Sequence, residues 1–477
     1  MPQRPSRGFD VVDTVRVDRR TGRVFEMGWQ SWSPTAVYPV TGTSARPARP
    51  AFQIFYRPET PAPATGFQGE GLLAVQPATD APVHVYGLPD GRVEVPSIRA
   101  RLVGEDLVVS ADGAVERTVE DGPGGMYGAL ARFAERYAAR VGRPSLRPVP
   151  PIWASWYQYF TEFTQQDLDR NLDAMERLEL PVGIVRIDDA FQAGIGDWLV
   201  PSGGFDSLDG MVKGVIDRGR RAGLWCAPFL VGEHSRTRAE HPEWLVRDDA
   251  GVPVEAQFNW GQHCYVLDVT HPAAADYLSR VFAEYRDWGT TYFMVDFLYG
   301  GAMPGRRYAD VDVVTAYRSG LELIRQAVGE DVVVQGCGAP MFPSIGYVDT
   351  MRVGADIAPH YAAIDEELAN PGGEAAIVST IGRAFTQGRF WLNDPDCLVA
   401  RPQVERREQW ADVVERYGSV RISSDGLDEL DAWGLETTRR LLVPSRTEPF
   451  DAATVPLESN PVAEALASHR VAERQPS

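Results

Sequence analysis

Aspartates close several short apolar runs in the middle of this chain, and these are the residues whose type and spacing could do chemistry. Ile187 leads into Asp188-Asp189, Val295 into Asp296, Val353-Gly354-Ala355 into Asp356, and Trp391-Leu392 into Asn393-Asp394-Pro395-Asp396. Carboxylates gathered at one rim repel one another unless a site uses them. A pair roughly 5–5.5 Å apart, one ionised and one protonated, is what double displacement at the anomeric carbon of a sugar requires. Tryptophans near the same run ends (Trp153, Trp156, Trp198, Trp225, Trp260, Trp391) would offer flat apolar faces to sugar rings. Each feature alone has a plainer reading. A lone aspartate after a strand is commonly a cap or turn residue, which suits Asp394 and Asp425, and a lone tryptophan is commonly core. It is the convergence that favours a site.

Convergence needs a scaffold that brings the run ends together. Eight apolar runs alternate with helical patterns: Ile152–Tyr157, Gly183–Asp188, Gly223–Phe229, Tyr292–Phe297, Val332–Gly336, Thr350–Gly354, Arg389–Asn393 and Val420–Ser423. Thr164 and Asp167 make a capping box ahead of Leu168, Leu172, Met175 and Leu178 at helical spacing. Pro272 opens a second helix whose stripe runs from Leu278 to Trp288 and stops at Gly289. Eight alternations predict a closed (β/α)8 barrel over residues 143–443, in which working residues sit at the C-terminal strand ends. A doubly wound open sheet fits less well, since no GxGxxG follows the first run. Residues 1–142 read as β, with runs such as Val93–Val95 and Leu107–Val109, loops over Gly42–Pro63, and a linking helix over Gly125–Arg140. Gly142–Pro151 is a proline-rich linker, and residues 444–477 read as a polar tail.

Composition narrows the function classes. A formal net charge of −19 argues against nucleic acid, which demands clustered cations. Lys213 is the single lysine, nearly all other positive charge being arginine. Four scattered cysteines with no CxxC pair suggest neither zinc nor disulfides. His241-Pro242 and His271-Pro272 read as helix starts, not ligands, and no metal or cofactor is expected. No apolar run is long enough to cross a membrane, and Met1–Asp10 lacks the apolar core of a signal peptide, so the default expectation is a cytoplasmic protein acting on a small-molecule oligosaccharide or glycoside. A homo-oligomer is compatible with the sequence.

The runs Ile187–Phe191, Gly196–Trp198, Gly223–Trp225, Phe293–Phe297, Gly336–Gly338, Met351–Asp356 and Trp391–Asp396, in this order, resemble glycoside hydrolase family 36, the α-galactosidases. Gly28-Trp29-Gln30-Ser31-Trp32-Ser33 resembles that family's N-terminal β-sandwich. The resemblance implies a retaining α-glycosidase acting through a covalent glycosyl-aspartate, with Asp296 as nucleophile and Asp356 as general acid/base. It implies sugar contacts from Asp188, Asp189, Asp197, Trp198, Arg352 and Cys337, walls from Trp156 and Trp260, and Trp32 reaching in from the sandwich. Asp296 must then be ionised, and the neighbours of Asp356 must raise its pKa. Two departures stand out. The family's lysine two residues before the nucleophile is Met294 here, and the arginine expected two residues before the pocket tryptophan is Phe258. The stretch after the eighth run is also short for the family's C-terminal β-domain. Three readings stay open: an α-galactosidase-like hydrolase, a relative with changed sugar preference or transglycosylase activity, and a non-catalytic carbohydrate-binding protein. Retention of both Asp296 and Asp356 argues against the last.

Overall fold

Eight short runs of buried residues pair side by side in parallel, each too short to span more than the barrel wall. They are β1 (Ile152–Ala154), β2 (Ile184–Ile187), β3 (Arg221–Cys226), β4 (Thr290–Val295), β5 (Val333–Gly336), β6 (Thr350–Arg352), β7 (Leu392–Asp394) and β8 (Ile422–Ser423). Sheet order follows chain order, with β8 returning beside β1. The remaining seam is bridged by a parallel contact between Leu398 and Ser423, and the N–H groups of Ser419 and Val420 donate to the Asn393 carbonyl at 2.9 and 3.1 Å. The structure, a computed structural model, describes residues 8–45, 57, 60 and 62–455.

Each of the eight expected runs contains or overlaps a barrel strand. Helices separate most of them, and their limits follow local signals. Gln165–Arg177 starts at the Thr164–Asp167 capping box, both halves of which are formed. Pro272–Asp287 carries proline in its first turn and buries Leu278, Val281, Phe282 and Tyr285. Between β3 and that helix lies an inserted antiparallel sheet of Leu230–Gly232, Glu255–Asn259 and Gln262–Val266, which hangs over the strand ends.

Ahead of the barrel, nine strands among the described residues form two antiparallel sheets, one of four strands and one of five. In the five-stranded sheet alternation divides the labour: Val24, Leu73, Val75 and Tyr86 join a core between the sheets, whereas Phe25, Leu72, Ala74 and Val85 join the core shared with the barrel. The linking helix, Gly125–Val141, lies in that second core. Val93–Val95 is not a strand, because the N–H groups of Val93 and Glu94 fold back onto the Asp90 carbonyl. Most of the loop expected over Gly42–Pro63 lies outside the described residues, as does 456–477. The first part of the expected tail is tied down: Ser445 pairs with Val149, and Gln387 donates to the Arg446 carbonyl at 2.9 Å.

One buried cation fastens the sandwich to the barrel. Arg383 follows the helix Gly373–Gly382, and its guanidinium donates to the carbonyls of Gln30 and Ser33 at 2.8 Å, Val353 at 2.9 Å, and Ser31. These carbonyls belong to the loop 28–35 and to the stretch just before Asp356. Replacing Arg383 by methionine strands four buried acceptors, so Arg383→Met should cost about 3 kcal/mol or more of stability. The midpoint of urea unfolding measures this, and an unchanged midpoint would refute the fastening role.

Candidate active site at the C-terminal strand ends

The barrel interior is polar where it meets the site. Arg186 of β2 points inward, fully buried, pairing with Asp188 at 2.9 Å and donating to Gln335 of β5 at 3.3 Å. Gln335 also accepts from the Tyr292 hydroxyl and donates to Asp394. Asp394 is thus a buried member of this layer, and Asp425, fully buried, pairs with Arg401 at 3.0 Å and accepts from the Ala400 N–H. Asp394 does close a local turn, accepting the Asp396 N–H at 3.0 Å, but both residues are buried and also bonded to groups far along the chain, which the cap or turn reading did not anticipate.

Above this layer each acidic side chain is held by donors. Asp188 takes the Trp156 N–H at 3.2 Å as well as Arg186. Asp189 accepts from the Ala190 N–H at 2.9 Å, the Trp260 indole at 2.6 Å and the Gln192 amide. Asp296 accepts from the Phe297 N–H at 2.6 Å and the Trp225 indole at 3.1 Å, with the Cys337 thiol also bonded to it. Arg352 of β6 reaches Asp356 at 2.6 Å and Asp396 at 2.7 Å. Asp396 takes four donors in all: Arg352, the N–H groups of Ile357 and Cys397, and the Tyr157 hydroxyl. Three of the aspartates (189, 296 and 396) therefore accept the N–H of the very next residue. Positive φ angles at Ala190 (109°), Phe297 (50°) and Asp396 (113°) mark the strain this local geometry carries.

The aromatic wall is compact. Phe297 meets Trp32, Trp260 and Trp225 at ring-centroid distances of 5.1, 5.2 and 6.4 Å. Trp32 arrives on the sandwich loop and touches the place where a side chain at Gly338 would stand, 2.9 Å away. Trp260 sits with Gly261 at a two-residue turn, both at positive φ, between the paired residues Asn259 and Gln262. A tryptophan pays for φ 52° there, and its bond to Asp189 offsets that cost. Met294 is buried, flanked in the strand register by Trp225 and Gln335.

Most residues expected in the site thus come together: Asp188, Asp189, Asp296, Asp356, Arg352, Cys337, Met294, Trp32, Trp156 and Trp260. Two do not. Asp197 accepts the N–H groups of Arg236 and Thr237, at 2.9 and 3.0 Å, at the start of the helix Arg236–Glu240. Trp198 is fully buried and backs Trp225 at 6.0 Å. Trp153 and Trp391 are likewise core. Three participants had no individual role assigned from sequence: Trp225, Tyr157 and Asp396. Trp225 and Asp396 stand at run ends and within the Gly223–Trp225 and Trp391–Asp396 motifs, which were the available signals; Tyr157 carried none. Phe258, in the place of the expected arginine, is 63% exposed and packs on His263, away from these carboxylates. Among the described residues no group of three or more His, Cys, Asp or Glu could hold a metal ion, and no helix is long and apolar enough to cross a membrane.

The melibiase family profile matches residues 127–296, from the linking helix to the end of β4. α-Galactosidase AgaA of Geobacillus stearothermophilus is 27% identical over 223 residues, 42% of this chain and 28% of AgaA. The α-galactosidase TtGalA of Thermus thermophilus, solved with stachyose, superposes with a TM-score of 0.77 at 27% identity, over 90% of this chain and 92% of its own. The chain is thus similar to the melibiase family over residues 127–296, and to α-galactosidases in sequence and fold. The crystal structure of AgaA, named a GH36 α-galactosidase, superposes at a TM-score of 0.60 and 14% identity, over 90% of this chain and 61% of AgaA, which speaks for the shared fold alone. The sequence match spans little more than a quarter of AgaA's length.

Electrostatics at Asp296 departs from expectation. Burial, reinforced by the nearby charge of Asp356, pushes Asp296 up to about 6, while the Trp225 and Cys337 hydrogen bonds pull it down. The raised carboxyl is thus the one assigned to the nucleophile, and Asp356 stands in an ion pair with Arg352. Trp225→Phe deletes a donor to the charged form, so Asp296 should titrate higher than in the parent protein. Carboxyl 13C NMR titration measures it, and a value equal to or below the parent's would refute the contribution of the indole.

Proposed function

We propose that this protein is a retaining α-glycosidase that releases terminal α-linked galactose by double displacement. What carries the reading is the pairing of Asp296, buried at the end of β4, with Asp356, one-third exposed at the end of β6, close enough for the charge of one to raise the other. Asp296 attacks the anomeric carbon as Asp356 protonates the departing glycosidic oxygen. The glycosyl ester on Asp296 is then opened by water, whose proton returns to Asp356. Asp188 and Asp189 accept hydrogen bonds from ring hydroxyls, and Arg352 and Cys337 line the pocket. Trp32, Trp156 and Trp260 form its walls. TtGalA has also been solved with p-nitrophenyl α-D-galactopyranoside, which makes α-galactosides the first substrate class to test.

With Asp296 at about 6 the nucleophile is mostly ionised at pH 7. Protonation disables it, so kcat/KM should fall as pH drops through about 6, and pH–rate profiles on p-nitrophenyl α-D-galactopyranoside test this. Asp296→Asn should lose on the order of a thousandfold or more in kcat. Wild-type turnover in that variant would end the assignment. Proton NMR of the first-formed sugar distinguishes retention from inversion.

Met294 favours a second reading, a changed sugar preference. The position where the family typically carries lysine is here a buried thioether between Trp225 and Gln335. Losing a charged donor to a hydroxyl costs about 1.5–3 kcal/mol. A panel of aryl α-glycosides (galactose, glucose, N-acetylgalactosamine, xylose, fucose, arabinose) should show weaker discrimination for galactose than Met294→Lys shows. An unchanged ranking in the variant would remove Met294 as the determinant.

A further inference from the structure

One guanidinium faces three carboxylates at the ends of β6 and β7. Arg352 contacts Asp356 through Nη1 at 2.6 Å and Asp396 through Nη2 at 2.7 Å, and its Nε lies 3.6 Å from Asp394. One positive charge cannot neutralise three negative ones, so the group least committed to being an anion takes up a proton. Asp396 is wholly buried, and each of its oxygens accepts two hydrogen bonds: Oδ1 from Arg352 and the Cys397 N–H at 2.7 Å, Oδ2 from the Ile357 N–H at 2.8 Å and the Tyr157 hydroxyl. A neutral carboxylic acid must donate its own proton, and this cage leaves it poorly placed to do so. Burial pushes Asp396 upward, but four donated bonds favour the anion. Asp394 accepts from Gln335 and from the Asp396 N–H at 3.0 Å. Asp356, by contrast, has 33% of its side chain exposed.

We propose that Asp396 is a positioning residue that engages Arg352 as its own counter-ion, so that Asp356 can keep the proton it must deliver to the leaving group. A buried anion needs a partner far more than an exposed one does, so the guanidinium serves Asp396 before Asp356. The charged and titratable groups around Asp396 are Arg352 and Asp356 at the end of β6, Asp394 of β7, Tyr157 after β1, and Cys397, whose sulfur lies 3.8 Å from Arg186. Tyr157 strengthens the arrangement by donating to the oxygen that Arg352 does not reach. This role rests on the glycosidase reading above.

The test is Asp396→Asn in the full chain, with kcat/KM followed across pH on two substrates that differ in leaving group. Without the Asp396 charge, the whole of Arg352 faces Asp356, which gives up its proton more readily. The alkaline limb should move down by about one pH unit. Above neutral pH, methyl α-D-galactopyranoside should lose about tenfold, and p-nitrophenyl α-D-galactopyranoside, whose leaving group needs little protonation, should lose less. If the buried substitution prevents folding, as circular dichroism would show, Tyr157→Phe removes one of the four donors and should move the limb in the same direction by a smaller amount. An alkaline limb and a substrate ratio both equal to wild type, in whichever variant folds, would overturn the role of Asp396 while leaving the glycosidase reading intact. A wild-type chain inert on both substrates, with Asp296→Asn indistinguishable from it, would overturn both together.

Discussion

Six aspartates, 188, 189, 296, 356, 394 and 396, crowd the strand ends, and the cations that meet them are the buried Arg186 and Arg352. That imbalance constrains the rest of the site. Carboxylates that lack a full counter-charge must be held by neutral donors, and the structure supplies them from several sources. Indoles serve Asp189 and Asp296, a phenol serves Asp396, amides serve Asp189 and Asp394, and peptide N–H groups serve Asp188, Asp189, Asp296 and Asp396. Neutral donors orient a carboxylate without cancelling its charge, which suits a site where one group must attack a carbon and another must hold a proton.

The sandwich contributes to that site as well as standing beside it. Its loop 28–35 is gripped by Arg383 on one flank and by the segment after β5 on the other, where the Ala339 N–H donates to Ser31 at 3.1 Å and the Met341 N–H to the Trp29 carbonyl at 2.9 Å. Trp32 is thereby set against Phe297, next to Asp296. The Arg383 contact with the Val353 carbonyl links the same grip to the strand that presents Arg352 and leads to Asp356. The sandwich loop and the stretch leading to Asp356 thus share an anchor.

Much of this was legible in the chain. Eight apolar runs between amphipathic helices indicate the barrel, and a carboxylate at a run end indicates where its rim should be. The capping box at Thr164 and the proline at 272 set their helix starts as written. What the sequence hid depended on three-dimensional partners. Val93-Glu94-Val95 alternates like a strand yet lies in a turn closed by Asp90. Asp394 reads as a turn residue ahead of Pro395, and the partners of Asp394 and Asp396 appear only when Gln335 and Arg352 arrive from other strands. Asp197 sits in a run that resembles the α-galactosidases yet serves a helix start, which no pattern in the chain distinguishes from a sugar contact. The raised pKa of Asp296 was hidden for a related reason: burial is a property of the assembled rim, and it lifts this carboxyl to about 6.

The peptide N–H that follows Asp189, Asp296 and Asp396 is supplied by the main chain, whatever side chain comes next, proline alone excepted. Backbone conformation therefore encodes much of the aim of these oxygens. A pocket framed in this way can exchange its lining piecemeal, a thioether at position 294 among other choices, while the carboxylates keep their bearing. The frame and the lining are separable, so the walls of this barrel rim can be refitted without re-aiming its acids.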